Sequence, residues 1–220
     1  MTRLLRDIKV LITSGPTWVP IDAMRVITNK STGLMGQTLA KQFSNAGAQV
    51  TLLEGPVLNS IEDIEFNVKL KKFQFFSELE TLFKRSLRQK YDMVLHAAAV
   101  SDYELKKVPN KKIRSGQKSL DLKLEPTTKL INQVKKISPK TFLVGFKWEP
   151  KISFSTVKKV TASLFLKAKC DIVIANTTAN NSYTGYIVDQ KAKQTIQVKS
   201  RVTLAQELIQ IAENRFNTQE

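Results

Sequence analysis

Short apolar runs rich in valine, isoleucine and leucine alternate along the chain with stretches in which apolar residues recur every three or four positions. The runs are typical of buried strands, and the stretches are typical of amphipathic helices. Strands are predicted at residues 8–13, 49–53, 67–73, 93–98, 142–146, 172–175, 186–188 and 195–198. Helices are predicted at residues 33–45, 76–88, 128–136, 155–169 and 203–214.

This alternation predicts an α/β fold of Rossmann-like type, in which a mostly parallel sheet is flanked by helices. A length of 220 residues suits one domain, and we predict that residues 1–220 form it. The polar segment 104–119, which contains Pro109 and Gly116, predicts a small mobile flap or β excursion on that domain and not a domain boundary.

The composition is that of a globular protein, since 42% of the residues are hydrophobic and 25% are charged. No apolar run approaches the roughly 20 residues that a membrane-spanning helix needs. The apolar stretch at residues 8–12 is interrupted by Lys9 and is too short for a signal peptide. Cys170 is the only cysteine, which excludes an intramolecular disulfide and is typical of a reducing compartment. We therefore expect a cytoplasmic protein.

The net charge of +16, from 35 basic and 19 acidic residues, is the unusual bulk property. Solvated lysines on helix faces explain it most simply, and attraction of polyanionic small molecules is a second explanation. A basic nucleic-acid-binding module is an alternative, although no zinc-ligand spacing or RNP-type aromatic motif accompanies the charge. The densest group of cations lies in the flap and is formed by Lys106, Lys107, Lys111, Lys112 and Arg114. This group is either a solvated loop or a phosphate clamp.

Two glycine-containing segments surround the first predicted strand-to-helix transition: TSGPT at 13–17 and RVITNKSTGLMG at 25–36. Gly15 ends the strand, and Gly33 and Gly36 open a helix whose free N–H groups and dipole favour an anion. Ser31 could cap that helix or donate to a phosphate oxygen. Neither GxGxxG nor a P-loop is present, so an ordinary turn with an N-cap remains open for this segment taken alone.

The segment HAAAVSDY, at 96–103, follows a buried strand with three alanines that would let a ligand approach closely. Asp102 would emerge at the carboxyl end of that strand, where ligands bind in open α/β sheets, unless it merely begins a turn. His96 lies inside the apolar run, which favours a structural role over acid–base chemistry. Two later strands end in Phe146, within LVGFKWE, and in Asn176, within CDIVIAN.

Taken together and in this order, these segments resemble phosphopantothenoylcysteine synthetase, the second enzymatic half of a bacterial flavoprotein, over nearly the whole chain. The resemblance implies a ligase of coenzyme A biosynthesis that joins 4'-phosphopantothenate to L-cysteine. The reaction would proceed through an acyl-nucleotide, by analogy an acyl-cytidylate, and release CMP and pyrophosphate. CTP would be the co-substrate, with ATP left open, and Mg²⁺ would bridge its phosphates. The resemblance also implies a homodimer and a separate decarboxylase that acts next in the pathway.

The resemblance assigns roles to individual positions. Asn29 would orient the activated acyl carbonyl, Arg25 would position that segment, and Lys112 would screen charge during the first step. The nucleotide and the phosphates would be bound by Gly15, Ser31, Gly33, Gly36, Ala98, Ala99, Asp102, Phe146, Lys169 and Asn176. No residue is assigned as a metal ligand.

Three departures from the family pattern stand out. Trp18 and Val19 occupy positions where a polar or acidic residue is usual, and Lys30 adds a charge beside the phosphate segment. The lysine expected in the helix before CDIVIAN falls at Ala168, so either Lys167 or Lys169 would take its place.

Two further expectations concern an alternative class of enzyme and the oligomeric state. A Rossmann-type NAD(P)-dependent oxidoreductase would place an acid after the second strand to bind a ribose, and Glu54 stands there. The segment 20–28 carries apolar residues that predict a homodimer contact: Ile21, Met24, Val26 and Ile27.

Overall fold

The structure is a computed structural model that describes residues 5–60, 68–179 and 182–216. Its strands are β1 Lys9–Ser14, β2 Trp18–Pro20, β3 Val26–Thr28, β4 Gln49–Glu54, β5 Val68–Lys72, β6 Met93–His96, β7 Tyr103–Leu105, β8 Leu124–Pro126, β9 Phe142–Trp148, β10 Ile172–Ala179, β11 Ser182–Asp189 and β12 Gln194–Val198. Its helices are α1 Leu34–Asn45, α2 Phe76–Leu87, α3 Ile131–Ile137, α4 Val157–Ser163 and α5 Arg201–Phe216. A π-helical turn, Leu164–Ala168, continues α4.

Eight of these strands form one sheet in the order β5-β4-β1-β6-β9-β10-β11-β12. The first six strands in this order are parallel to one another, and β11 and β12 are added antiparallel at one edge. The predicted Rossmann-like α/β fold is therefore confirmed. Since the strand order reverses between β1 and β6, the crevice beyond the carboxyl ends of these two strands is the expected place for a ligand.

The central strands read as continuous apolar runs because helices cover both faces of the sheet. Val10 and Ile12 of β1 pack with α1 and α5 on one face, whereas Leu11 packs with α2 and α3 on the other. All three side chains are fully buried. Alternate residues of β1 thus belong to two separate hydrophobic cores, so the three consecutive residues from Val10 to Ile12 are all apolar.

Two short strand pairs lie outside the main sheet. β2 pairs with β3 in an antiparallel hairpin, and β7 pairs with β8 at the base of the predicted flap. The predicted strand at 67–73 begins at Val68, because Asn67 falls outside the described residues. Within the described part of the chain, no helix is long and apolar enough to cross a membrane.

The predicted helix at 155–169 differs from the observed structure in one respect. It is α4 followed by the π-helical turn, and it ends where Lys169 adopts a left-handed conformation with φ of 54°. Ala168, the last residue of the turn, is buried against α2 and α3. A lysine at that position would have to bury its charge, which explains why the lysines stand at the flanking exposed positions.

Candidate functional site

The carboxyl ends of the central strands border a cavity of about 740 Å³. Several residues predicted from the motifs line it together: Asn29, Ser31, Gly33, Gly36, Ala98, Ala99, Phe146 and Asn176. Its other described lining residues are Lys30, Thr32, Leu34, Met35, Ala97, Trp148, Thr178, Tyr183 and Arg201. These described residues include two cations and no carboxylate, so the cavity favours an anionic ligand.

The beginning of α1 is held unusually close to the end of β1. A Cβ atom on Gly36 would lie 2.4 Å from Ser14 Cβ, so only glycine permits this approach. Gly33 has φ of +76°, and its carbonyl oxygen accepts a hydrogen bond of 2.8 Å from Ser14 Oγ. The first N–H groups of α1 are thereby placed beside Ser31 and Thr32 at the cavity wall, where an anion would be stabilised.

Hydrogen bonds tie the loop after β6 to two other segments. Asn29 Nδ2 donates to the carbonyl oxygen of Ala99 at 3.0 Å, and Ala99 N donates to Gly15 O at 2.9 Å. Gly15 itself is buried and does not line the cavity. Its contribution is therefore to the geometry of the loop. Asn29 lines the cavity while its amide group fixes the alanine segment opposite.

Two potentially reactive side chains are unsuited to catalysis. Burial lowers the pKa of His96 to about 4, and Thr13 Oγ1 lies 3.0 Å from its Nδ1 while accepting a hydrogen bond from Ala98 N. Burial, reinforced by Asp171, raises the pKa of the Cys170 thiol to about 12. A neutral histidine and an un-ionised thiol would not serve as acid–base or nucleophilic groups near neutral pH. The structural role expected for His96 agrees with this environment.

The remaining predicted site residues do not line the cavity: Gly15, Arg25, Asp102, Lys112 and Lys169. Asp102 is exposed, and its carboxylate forms an ion pair with Lys129. Lys169 and the alternative Lys167 are both exposed beyond the π-helical turn. A contact between any of these residues and a ligand stays a prediction.

Asp22 is a residue that the motif analysis did not single out. Its carboxylate accepts hydrogen bonds from the backbone N–H groups of Met24 and Arg25 at 2.8 and 2.9 Å and from Ile113 at 3.0 Å. Arg25 adds an ion pair of 3.0 Å to Asp22 and donates to Ile113 O at 3.3 Å. The backbone hydrogen bond from Ile113, followed by that from Met24, holds the pKa of the Asp22 carboxyl below its usual range. Asp22 and Arg25 thus attach the flap, next to Lys112, to the β2–β3 hairpin.

Glu54 is engaged within the protein. It is 1% exposed, and its two carboxylate oxygens accept hydrogen bonds from Gln37 Nε2 at 2.8 Å and Ser60 Oγ at 2.6 Å. A ribose would have to displace these partners. The residue that favoured an NAD(P)-dependent oxidoreductase is therefore poorly placed to bind a cofactor.

Trp18, one of the departures from the family pattern, contacts the residues just before α2. Trp18 N donates to Gln74 O at 2.8 Å, and its ring packs edge-on against Phe75 at 6.5 Å between centroids. This departure from the family pattern docks β2 against the start of α2.

Among the described residues, no group of three or more histidine, cysteine, aspartate or glutamate side chains could hold a metal ion.

A protein family and a curated relative each match most of this chain. The family described as the DNA/pantothenate metabolism flavoprotein C-terminal domain matches residues 5–215. The chain is 39% identical over 170 residues to the coenzyme A biosynthesis bifunctional protein CoaBC of Thermococcus kodakarensis, a match that covers 77% of this chain and 41% of that protein. The chain therefore spans less than half of that relative.

Two solved structures share the fold. A DNA/pantothenate metabolism flavoprotein from Streptococcus pneumoniae has a TM-score of 0.84 at 24% identity and covers 94% of this chain and 99% of its own. A Cab2 mutant in complex with phosphopantothenate-cysteine has a TM-score of 0.78 at 20% identity, over 97% of this chain and 88% of its own. At these identities the likenesses establish the architecture alone.

Proposed function

The chain belongs to the DNA/pantothenate metabolism flavoprotein C-terminal domain family, and from this premise we propose that it is a phosphopantothenoylcysteine synthetase. It would act in coenzyme A biosynthesis as a ligase that joins 4'-phosphopantothenate to L-cysteine. The observation that carries the proposal is the cavity at the ends of the central strands. It gathers the asparagine, glycine and alanine segments that the family resemblance marked as the site.

The proposed chemistry has two steps. A carboxylate resists attack by an amine, because an oxide ion would have to leave. In the first step a carboxylate oxygen attacks the α-phosphorus of the nucleoside triphosphate, the bond to the bridging oxygen breaks, and pyrophosphate leaves. In the second step the cysteine amine attacks the acyl carbon, loses a proton to solvent, and releases the nucleoside monophosphate. No covalent bond to the protein is needed, which suits a protein whose Cys170 is un-ionised and whose His96 is neutral.

The cavity supports this chemistry through positioning and charge. The start of α1, with Ser31 and Gly33, would bind phosphate oxygens through its free N–H groups. Phe146 and Asn176, in the carboxyl-terminal halves of β9 and β10, would contact the sugar and base of the nucleotide. Asn29 would orient the acyl group beside the alanine segment.

We further propose CTP as the nucleotide, by analogy with bacterial members of the family, with ATP as the competing co-substrate. Mg²⁺ would bind with the triphosphate and neutralise part of its charge. This arrangement fits the described residues, which hold no acidic cluster able to retain the ion alone. A decarboxylase would then remove the carboxyl group that cysteine brings into the product.

We expect purified protein to release pyrophosphate in the presence of phosphopantothenate, Mg²⁺ and one nucleoside triphosphate, with a first turnover that needs no cysteine. The reason is that activation of the carboxylate precedes attack by the amine. The measurement is a single-turnover pyrophosphate assay with each of the four triphosphates, with pantothenate as the control acid. Silence with all four would rule out the proposed synthetase.

A homodimer is proposed as the working form. Met24 of the β2–β3 hairpin is 72% exposed, and Val26 and Ile27 are also exposed although they are apolar. Burying these side chains between two copies would remove apolar surface from water. Sedimentation velocity at micromolar concentration is expected to show a dimer, and Met24→Lys should shift it towards the monomer more than Leu58→Lys on another surface. An active preparation that sediments only as a monomer would contradict the proposal.

A further inference from the structure

One end of the cavity contains two residues that no sequence motif singled out. Tyr183 of β11 and Arg201, the first residue of α5, line it together with Asn176 of β10. From β1 to β10 there are three strand intervals, so this end lies about 15 Å from the start of α1 along the sheet. The cavity therefore has a second polar end, well separated from the first.

The Tyr183 hydroxyl and Asn176 Oδ1 are buried at this second end without a hydrogen bond of normal geometry. Tyr183 is only 7% exposed. Burial raises the pKa of Tyr183 to about 12, and a weak hydrogen bond with the Asn176 side chain and the charge of Arg201 oppose that rise. The tyrosine thus keeps its proton at neutral pH and remains a donor. Leaving such groups unsatisfied is costly, which indicates that a ligand completes them.

A glycine opposite Asn176 makes the room for this arrangement. Gly185 of β11 pairs directly with Asn176 of β10. A Cβ atom on Gly185 would lie 2.7 Å from the Tyr183 hydroxyl oxygen and 3.0 Å from Leu204 Cδ1. Any larger residue would push the tyrosine away from Asn176, so the glycine preserves the polar end of the cavity.

Arg201 supplies a positive charge and N–H donors that are not used within the described structure. Its guanidinium carbon lies 4.9 Å from the centroid of the Tyr183 ring, which fixes the group against the cavity wall. Within the described residues the guanidinium forms no ion pair and donates no hydrogen bond. The described residues that line the cavity include no carboxylate to neutralise it. A planar fork of free N–H donors in such a place matches the oxygen atoms of a phosphate group.

We propose that Arg201, supported by Tyr183, binds a phosphate group of one of the two phosphorylated substrates. The inference rests on the proposed function, because that function supplies the two sources of the phosphate: the nucleoside triphosphate and phosphopantothenate. The start of α1 would hold the other phosphate. The two polar ends of the cavity would thereby set the direction in which the substrates lie.

The test is calorimetric titration of the wild-type protein, Arg201→Gln and Arg215→Gln with CTP, cytidine, 4'-phosphopantothenate and pantothenate, each in the presence of Mg²⁺. Arg215 is a matched control, since it lies on the same helix and stacks on Phe142 at 4.7 Å without lining the cavity. Arg201→Gln should weaken one phosphorylated compound by about 10–100-fold and leave its dephosphorylated counterpart unchanged. The compound that loses affinity identifies the source of the phosphate.

The outcomes separate this inference from the proposed function. If the wild-type protein binds neither phosphorylated compound, the proposed function fails, and the phosphate site fails with it. If the wild-type protein binds both and Arg201→Gln stays within twofold for each, the inference alone is overturned. Thermal unfolding of each variant checks that the fold is retained. Arg201→Lys, which keeps the charge but loses the planar fork, should show an intermediate loss.

Discussion

Replacing Asn29 by aspartate is expected to slow amide formation from the acyl-nucleotide by roughly 10²–10³-fold while pyrophosphate release survives. Asn29 lines the cavity, and its Nδ2 group donates to Ala99 O at 3.0 Å and approaches Val100 O at 3.4 Å. A carboxylate in its place would lose both donors and would repel the oxyanion that develops when the amine attacks. The intermediate should therefore accumulate, which rapid quenching and chromatography of the acyl-nucleotide would measure.

Asn132→Asp is the matched control for this substitution. Asn132 lies on α3, does not line the cavity, and undergoes the same change from amide to carboxylate. Its variant should resemble the wild type in both steps. If Asn29→Asp also abolishes pyrophosphate release, the assignment of Asn29 to the second step is wrong, because the same side chain would then be needed for activation.

The parallel core of the fold could be predicted from the sequence because its signal is local. Residues of β1 such as Leu11 and Ile12 are buried on opposite faces, and this produces an uninterrupted apolar run that any reader of the chain can locate. Gly33 and Gly36, at the beginning of α1, also mark the start of that helix in the sequence. Where the chain must be buried on both sides, sequence and structure therefore agree closely.

The strands β2, β3, β7 and β8 were not located individually from the sequence, and the reason is physical. Each has three residues, too few to establish the alternation that marks a half-buried strand. Their pairing depends on distant partners, such as the bond from Trp18 N to Gln74 O. The β11 strand was predicted as 186–188 and extends over Ser182–Asp189, because pairing with β10 continues the strand through Ser182 and Gly185, which have little strand propensity of their own.

The candidate site divides in the same way. The family resemblance marked the segments around Asn29, Gly33 and Ala98, of which only the Ala98 segment lies at the end of a strand that the apolar pattern locates. Tyr183 and Arg201 escaped prediction because an unsatisfied hydroxyl and an unpaired guanidinium become visible only when the surrounding side chains are in place. In the sequence, Arg201 is indistinguishable from any basic residue at the beginning of a surface helix.

Among the five flap cations, Lys112 and Arg114 flank Ile113, whose backbone is attached to the rest of the domain. Ile113 N donates to Asp22 Oδ2 at 3.0 Å, and Ile113 O accepts from Arg25 Nη2 at 3.3 Å. Asp22 is buried, and the backbone hydrogen bond from Ile113, followed by that from Met24, lowers the pKa of its carboxyl group and keeps it ionised. Lys112 therefore extends from a fixed point, whereas Lys106 reaches back to Glu125 at 3.7 Å. A fixed starting point favours a defined role when the flap closes over bound substrates.

Lys112→Gln is expected to slow single-turnover formation of the acyl-nucleotide by at least about a hundredfold, the loss typical of removing one preorganised charge-stabilising group. The carboxylate and the triphosphate are both anions, and an ammonium group in a closed site offsets their repulsion far better than it would in water. Lys107→Gln is the control, because Lys107 is equally exposed and lies in the same flap. It should change the rate little, apart from a weak salt-dependent effect on substrate encounter. Small and equal losses at both positions would mean that the five cations are interchangeable, and the flap would then be a solvated loop that takes no part in the first step.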